Sequence, residues 1–349
     1  MSKSKYLGQG SYGCAIKPGF NCSATNDVLD NTVSKLFSNE KDYKEEVDIY
    51  KKVVTIDKDN KFTLKLISHC EIKPSYINQN VADINNCDII QHKPKIYQIV
   101  YEYGGIDLNK MFVYNHVITT YPNLDIHEFL KKFIEIFKGL DTLSNHGLVH
   151  RDIKIDNILF NGDKIFLIDF GLLTNVDMIY KDNNPQIYYY NNPFYYPSEI
   201  FLFSALLLNK EIPSNRKPYV EEFLNIINSY IKKNKSKLQL NPDYLNEIQK
   251  LNKYLSLRAN AYFSYFKKNY DFIDFNELNM INLNRKIDTY QLGIVIYEVV
   301  VMMMIIYSSE EIKKIPFGIF QLLKEILEPD PIKRLDVTEI LPRYSKLFA

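Results

Sequence analysis

From Leu292 to Tyr307 the chain is apolar except at Glu298, and a helix apolar on every side has only two homes. It approaches the length needed to cross a bilayer, and it also suits the centre of a large folded domain. Asp288, just upstream, favours the second home, because it has a definite place in the pattern developed below. With 349 residues, 46% of them apolar, the chain can bury a sizeable core as one large domain or two modest ones.

The 43 basic and 42 acidic residues leave a net charge of +1, so no global field draws the chain to nucleic acid or to an anionic membrane. Cys14, Cys22, Cys70 and Cys87 form neither a CxxC pair nor a dense framework. That spacing suits free thiols in a reducing compartment rather than a disulfide scaffold or a zinc site. The N-terminus passes straight into a glycine-rich segment with no apolar leader, so secretion is not expected and a cytoplasmic location is.

Tyr6 to Ile16, with Gly8, Gly10 and Gly13 between apolar positions, reads as a glycine hairpin between two strands. Asn31 to Phe37 is a short β-branched strand carrying Lys35, and Tyr43 to Val54 has helical spacing. Phe62 to Ile72 and Ile96 to Tyr101 read as further strands, separated by an asparagine-rich segment, Lys73 to Lys95, expected to be a loop. From Ile126 to Asn145 the apolar positions share one helical face, and Gly147 sits where that helix would stop. Ile158 to Phe160 and Ile165 to Ile168 flank an Asn161-Gly162-Asp163 turn, which suggests a hairpin presenting Asp169 at its exit. Beyond Ile200 the chain turns helix-rich, with amphipathic stretches at Val220 to Ile231 and Tyr244 to Leu255.

The run His150-Arg151-Asp152-Ile153-Lys154-Ile155-Asp156-Asn157, followed by Asp169-Phe170-Gly171, sets an acid, a lysine and two metal-binding side chains at the spacing phosphoryl transfer needs. With these motifs the chain resembles the eukaryotic-type protein kinase family, serine/threonine branch. The resemblance implies an α+β, two-lobed fold: a β-rich N-lobe over 1–103, and a helical C-lobe over 104–349 with a helical insertion at about 203–284. It implies ATP and Mg2+ as cofactors and a protein as substrate, with neither nucleic acid nor a membrane as partner.

Residue by residue, Gly8, Gly10, Ser11 and Gly13 resemble the loop that covers the ATP phosphates, and Lys35 the strand lysine that contacts them. Glu46 is the choice for the helix glutamate that pairs with Lys35, with Glu45 as runner-up. Glu102, Tyr103 and Gly104 resemble the hinge that binds adenine, with Tyr101 at the gatekeeper position. The resemblance makes Asp152 the catalytic base, gives Lys154 the charge on the transferred group, and gives Asn157 and Asp169 the magnesium. Lysine two residues after the acid is what the serine/threonine branch carries. Glu199 is expected to pair with Arg334, and Asp288 to tether the catalytic loop from the start of the central helix. A catalytically inactive scaffold is the alternative; the joint presence of Lys35, Asp152, Asn157 and Asp169 favours activity.

The chain departs from the family at several positions. Ala15 stands where valine is usual over adenine, and Val33 where alanine is usual, an exchange of bulk across the pocket. Between Asn175 and Pro197 there is no serine or threonine, so the activation loop offers only Tyr180, Tyr188, Tyr189 and Tyr190 as phosphoacceptors. The missing threonine also removes a hydroxyl that usually bridges the catalytic aspartate and lysine. The stretch from Glu199 to Asp288 is longer than usual by most of a small helical subdomain, which is either structural elaboration or a partner platform. That insertion, with the Asn, Lys, Ile and Tyr bias, is similar to kinases of giant DNA viruses, which would place the protein in host cytoplasm or virion.

Overall fold

The computed structural model describes residues 4–10, 13–23, 28–177, 195–197, 218–268 and 280–349. By the density of its internal contacts the chain divides into two compact units. One is Met1–Gly105 with Leu159–Gly171, and the other is Ile106–Ile158 with Leu172–Ala349.

The first unit is built on a six-stranded sheet. In chain order its elements are β1 (Ser4–Gln9), β2 (Cys14–Lys17), β3 (Gly19–Phe20), β4 (Val28–Leu29), β5 (Thr32–Phe37), helix α1 (Glu40–Ile56), β6 (Leu66–Ile72), helix α2 (Pro74–Asn80), β7 (Val81–Ala82) and β8 (Ile96–Glu102). The sheet order is β6-β8-β5-β2-β1-β7, with β3 and β4 as a separate pair. Register sorts the side chains: Ala15 lies opposite Lys35, and Val33 opposite Tyr101. Since alternate strand residues share a face, Ala15, Val33, Lys35 and Tyr101 line one side of the sheet. Cys14, Ile16 and Leu36 line the other and are fully buried.

What buries that second side is the segment expected to be a loop. Lys73 to Lys95 instead forms α2, the strand β7 parallel to β1, and two short 3-10 turns, Ile84–Asn86 and Asp88–Ile90. Ile77, Val81, Ile84, Cys87 and Ile90 pack there on Cys14, Ile16, Phe20, Leu36, Ile72 and Ile96. The apolar residues are spaced singly among polar ones, so the sequence shows no periodic run, yet each finds the sheet. The cysteines likewise correct the expectation of free thiols: Cys14 is bonded to Cys87 and Cys22 to Cys70, with Cα separations of 6.0 and 5.8 Å. Partners 73 and 48 residues apart meet only through strand pairing and this covering segment, which is why their spacing is uninformative.

Helix α1 starts at Asn39, whose side chain accepts the Lys41 N–H, and it buries Tyr43, Val47, Tyr50 and Val53 along one stripe. The later hairpin of this unit turns at Asn161: its side chain accepts the N–H groups of Asp163 and Lys164, and Gly162 takes φ +99°. Strand Ile165–Leu167 then runs beside Thr63 and delivers Asp169.

The second unit is helical. After α3 (Val117–Thr120), the expected single helix is two, α4 (Ile126–Lys131) and α5 (Phe133–Asn145), and Phe129, Phe133, Ile136, Phe137, Leu140 and Leu143 are all buried. Gly147, at φ +68°, ends α5 in the left-handed conformation that glycine reaches without a Cβ penalty. There follow α6 (Tyr219–Lys233), α7 (Lys235–Leu238), α8 (Pro242–Lys268), α9 (Met280–Ile306), α10 (Ser309–Ile312), α11 (Ile319–Ile326) and α12 (Val337–Leu347).

Helix α9 carries the apolar run. Among the described residues it is the one helix long and apolar enough to span a membrane, and 89% of its most apolar window is buried inside the protein. It packs against α5, α7, α10, α11, α12 and the short strand Leu148–Val149. It begins at Met280, so Asp288 lies two turns inside it rather than at its start. Helix α8 is bound to this core. Tyr297 of α9 donates to Asn252 Oδ1 of α8 at 2.6 Å, Arg258 of α8 reaches Glu328 at 2.9 Å, and the Tyr254 hydroxyl bonds to the same carboxylate.

Candidate active site

In the first unit the site grows from the face of the sheet that carries Lys35. Its ammonium stands 2.5 Å from Glu46 Oε2 on α1 and 3.8 Å from Asp169 Oδ1. Glu45 points elsewhere, 3.7 Å from Lys41 on the exposed side of the helix. Burial pushes the Glu46 carboxyl up, while the Lys35 charge and hydrogen bond, and then the Tyr101 hydroxyl, pull it down. Asp169 takes φ +62°, a left-handed backbone uncommon for a non-glycine residue and of the kind found at functional positions.

The glycine segment turns as a hairpin, with Gly10 N–H donating to Gly13 O at 2.8 Å. A Cβ on Gly13 would lie 2.5 Å from the Leu36 carbonyl, so only glycine fits where β2 and β5 approach. Ser11 lies outside the described residues. Of the three residues expected to form the hinge, Glu102 N–H donates to Lys65 O and Tyr103 N–H to Asn31 O, both at 2.9 Å. Two of the three backbone donors therefore serve the protein itself.

Asp57 belongs to no motif and carries no signal of its role in the sequence. Its carboxylate accepts the N–H groups of Lys61, Phe62 and Thr63 and the Thr63 hydroxyl, all within 3.0 Å. The loop it organises receives Leu167 N–H on Phe62 O at 2.7 Å, which ties down the strand leading to Asp169.

In the second unit Asp152 is the hub. Lys154 Nζ lies 3.0 and 2.8 Å from its two carboxylate oxygens, and Asn157 Nδ2 donates to its carbonyl and to Oδ2, each at 2.9 Å. Asn157 thus spends its amide hydrogens on Asp152 and keeps its carbonyl oxygen as the remaining donor atom. Asp152 N–H donates to His150 Nδ1 at 3.2 Å, and His150 is fully buried.

The loop is held from α9. Asp288 Oδ2 accepts His150 N–H at 2.7 Å and Oδ1 accepts Arg151 N–H at 2.8 Å. Gln291, one turn on, donates to Arg151 O at 3.0 Å and accepts Ile153 N–H at 3.2 Å. Arg151 itself takes φ +70°, so these bonds stabilise a strained backbone. A second hold comes from Tyr195, whose hydroxyl accepts Ile155 N–H at 3.4 Å and donates to Glu298 Oε2 at 3.1 Å. Arg334 is buried, its Nε donating to Glu328 O at 2.9 Å, while its expected partner Glu199 lies outside the described residues, as do Tyr180 and Tyr188 to Tyr190.

Residues 1–200 match the family model described as protein kinase domain. The chain is 34% identical over 125 residues to sperm motility kinase 3A of Mus musculus, covering 36% of this chain and 23% of that one. It is 28% identical over 209 residues to the serine/threonine-protein kinase stk11 homolog of Dictyostelium discoideum, covering 57% of this chain and 30% of that one. It is 33% identical over 111 residues to a protein of Acanthamoeba polyphaga mimivirus named as a serine/threonine-protein kinase, covering 28% of this chain and 40% of that one. The matches therefore span well under half of these relatives' lengths. On the match across residues 1–200, joined to the α+β architecture described above, the chain belongs to the protein kinase domain family.

Proposed function

We propose that this chain is an active serine/threonine protein kinase that transfers the γ-phosphoryl group of ATP to hydroxyls of a protein substrate. The observation that carries the reading is the pairing of Lys35 with Glu46, with Asp169 beside the same ammonium. A lysine already fixed by a carboxylate loses little side-chain entropy when it meets phosphate. A decayed site would be expected to have lost one of Lys35, Asp152, Asn157 or Asp169, and all four are present.

The residues fit the cofactors. Carboxylate oxygens of Asp169 and the amide oxygen that Asn157 keeps are the hard donors magnesium takes. Magnesium, when bound, would neutralise charge on the phosphates. The glycine segment, with Gly8, Gly10, Ser11 and Gly13, covers the triphosphate in this reading, and Ala15 and Val33 flank the adenine. Gly104 supplies the hinge N–H, since those of Glu102 and Tyr103 are engaged within the protein.

Asp152 accepts and orients the substrate hydroxyl. In the structure its carboxylate is shared by Lys154 and Asn157, which fixes its plane; Lys154 then serves the charge that develops on the transferred group. Lys154 supports serine and threonine as acceptors, as do the names of the relatives. The proposal divides the chain into lobes at 1–103 and 104–349, with the insertion at about 203–284 as an elaboration of the second. A giant-virus source is part of it, supported by the mimivirus match. The cytoplasmic location stays a proposal, against which the two cystines weigh, because reducing compartments keep thiols free.

The test is transfer of labelled phosphate from ATP to generic protein substrates, followed by phosphoamino-acid analysis. Label on serine and threonine supports the reading. Nucleotide binding without any transfer would favour the inactive scaffold, and label on tyrosine alone would overturn the hydroxyl class.

A further inference from the structure

Glu46 has two carboxylate oxygens, and the Lys35 ammonium takes only Oε2. Oε1 accepts a hydrogen bond from the Tyr101 hydroxyl at 3.2 Å. The two donors come from different strands of the sheet, Lys35 from β5 and Tyr101 from β8, so the glutamate of α1 is gripped at two points. Tyr101 is itself well packed. Its backbone lies between Val33 of β5 and Leu66 of β6, its side chain is buried, and its ring packs on Tyr50 of α1 with centroids 4.8 Å apart. Tyr50 is fixed in turn by its hydroxyl bond to Leu64 O at 2.9 Å, and it meets Phe170 edge-on at 6.0 Å.

We propose, building on the kinase reading, that Tyr101 is a positioning residue for phosphoryl transfer: its hydroxyl holds Glu46 Oε1, which keeps the glutamate charged and turned so that Oε2 fixes the Lys35 ammonium. A buried carboxylate with one donor would have its second oxygen desolvated and unpaired, a costly state that favours protonation or rotation away. Burial and the neighbouring Glu46 charge hold the Tyr101 phenol well above its ordinary range, so it stays a donor at every working pH.

The groups that act on Glu46 are Lys35 from β5, Asp169 beyond strand Ile165–Leu167, and Tyr101 from β8; Tyr50 lies on its own helix. Lys35 and Tyr101 favour the charged form, whereas burial and Asp169 oppose it. Removing the hydroxyl alone must therefore raise the glutamate's pKa and weaken its hold on Lys35.

Tyr101→Phe keeps the ring and removes the bond. It is expected to lower kcat/KM for ATP on the order of ten-fold and to move the acid limb of the pH profile to higher pH. In a Glu46→Gln background the same substitution should cost little more, because the two residues act as one unit. Carbon-13 titration of the Glu46 carboxyl in the nucleotide-free protein gives an activity-independent reading of the same shift, and a melting curve checks that the variant is folded. An active wild type with an unchanged acid limb and unchanged kcat/KM in Tyr101→Phe overturns the proposal, as do fully additive losses in the double variant. A Glu46 titration that shifts in an enzyme showing no transfer at all sinks the kinase reading and leaves the hold of Tyr101 on Glu46 intact.

Discussion

Asp288 on helix α9 accepts the backbone N–H groups of both His150 and Arg151, at 2.7 and 2.8 Å, and so ties the loop that carries Asp152 to a helix buried inside the protein. Burial pushes its carboxyl up to about 6, although both hydrogen bonds pull the other way. Only the ionised form offers an acceptor to each N–H with no proton in the way. Phosphoryl transfer should therefore gain an acid limb near that value. Asp288→Asn, which has one acceptor oxygen, should lose that limb and lower kcat roughly ten- to a hundred-fold. Rate-against-pH profiles of the two proteins check this.

Glu298 makes a prediction of opposite sense for stability. It is buried on α9, receives the Tyr195 hydroxyl, and is raised to about 7 by burial. An acid whose folded pKa exceeds its unfolded value binds more protons when folded, so its contribution to stability declines as pH rises from near 4.5 to near 7. Glu298→Gln keeps an acceptor for Tyr195 and removes the buried charge. Its melting temperature should exceed that of the wild type at pH 8, by a margin that shrinks at pH 5. Equal melting temperatures at both values would contradict the assignment.

The Cys14–Cys87 cystine staples the segment Lys73 to Lys95 onto the sheet, and Cys22–Cys70 ties the chain after β3 to β6. A bridge closing 73 residues is worth about 4 kcal/mol by the chain-entropy estimate. Reduction should lower the melting temperature of the first unit, and intact mass before and after reduction should show both bonds. A mass that indicates four free thiols in the protein as isolated would contradict the pairing.

How far the site was legible in the sequence depended on sequence distance. His150 to Asn157 and Asp169 to Gly171 are local runs whose chemistry is spelled out side by side, and Lys35 follows from a short strand after a glycine hairpin. Four helical stretches of the second unit, at Ile126–Asn145, Val220–Ile231, Tyr244–Leu255 and from Leu292 on, are readable from apolar spacing, although the first is two helices and the shorter helices carry no such signal. What escaped was contact made across the fold. Nothing near Tyr101 marks its hydroxyl as the partner of Glu46, and nothing near Gln291 marks its bonds to Arg151 and Ile153. The cystines and the covering segment escaped for the same reason: isolated apolar residues and cysteines acquire meaning only once the sheet has formed. The length of α9 upstream of Asp288 was hidden because its first turns mix polar residues with apolar ones and break the continuous apolar run.

Asp57 gives a prediction about a residue that touches no substrate. Its carboxylate caps three N–H groups of the loop that binds the strand before Asp169. Asp57→Ala leaves those donors unpaired in a buried place and should destabilise the first unit by about 2–4 kcal/mol. Denaturant unfolding measures it, and a loss under 0.5 kcal/mol, the ordinary surface value, would contradict the role.

The most direct test of the central claim is the rate of γ-phosphoryl transfer by the wild type and by Asp152→Asn, with ATP affinity measured on both. The account predicts turnover by the wild type in magnesium-ATP and a loss of about 10²–10⁴-fold in Asp152→Asn, with nucleotide affinity nearly unchanged. Equal rates in the two proteins, or a wild type that binds ATP and never transfers phosphate, would contradict it.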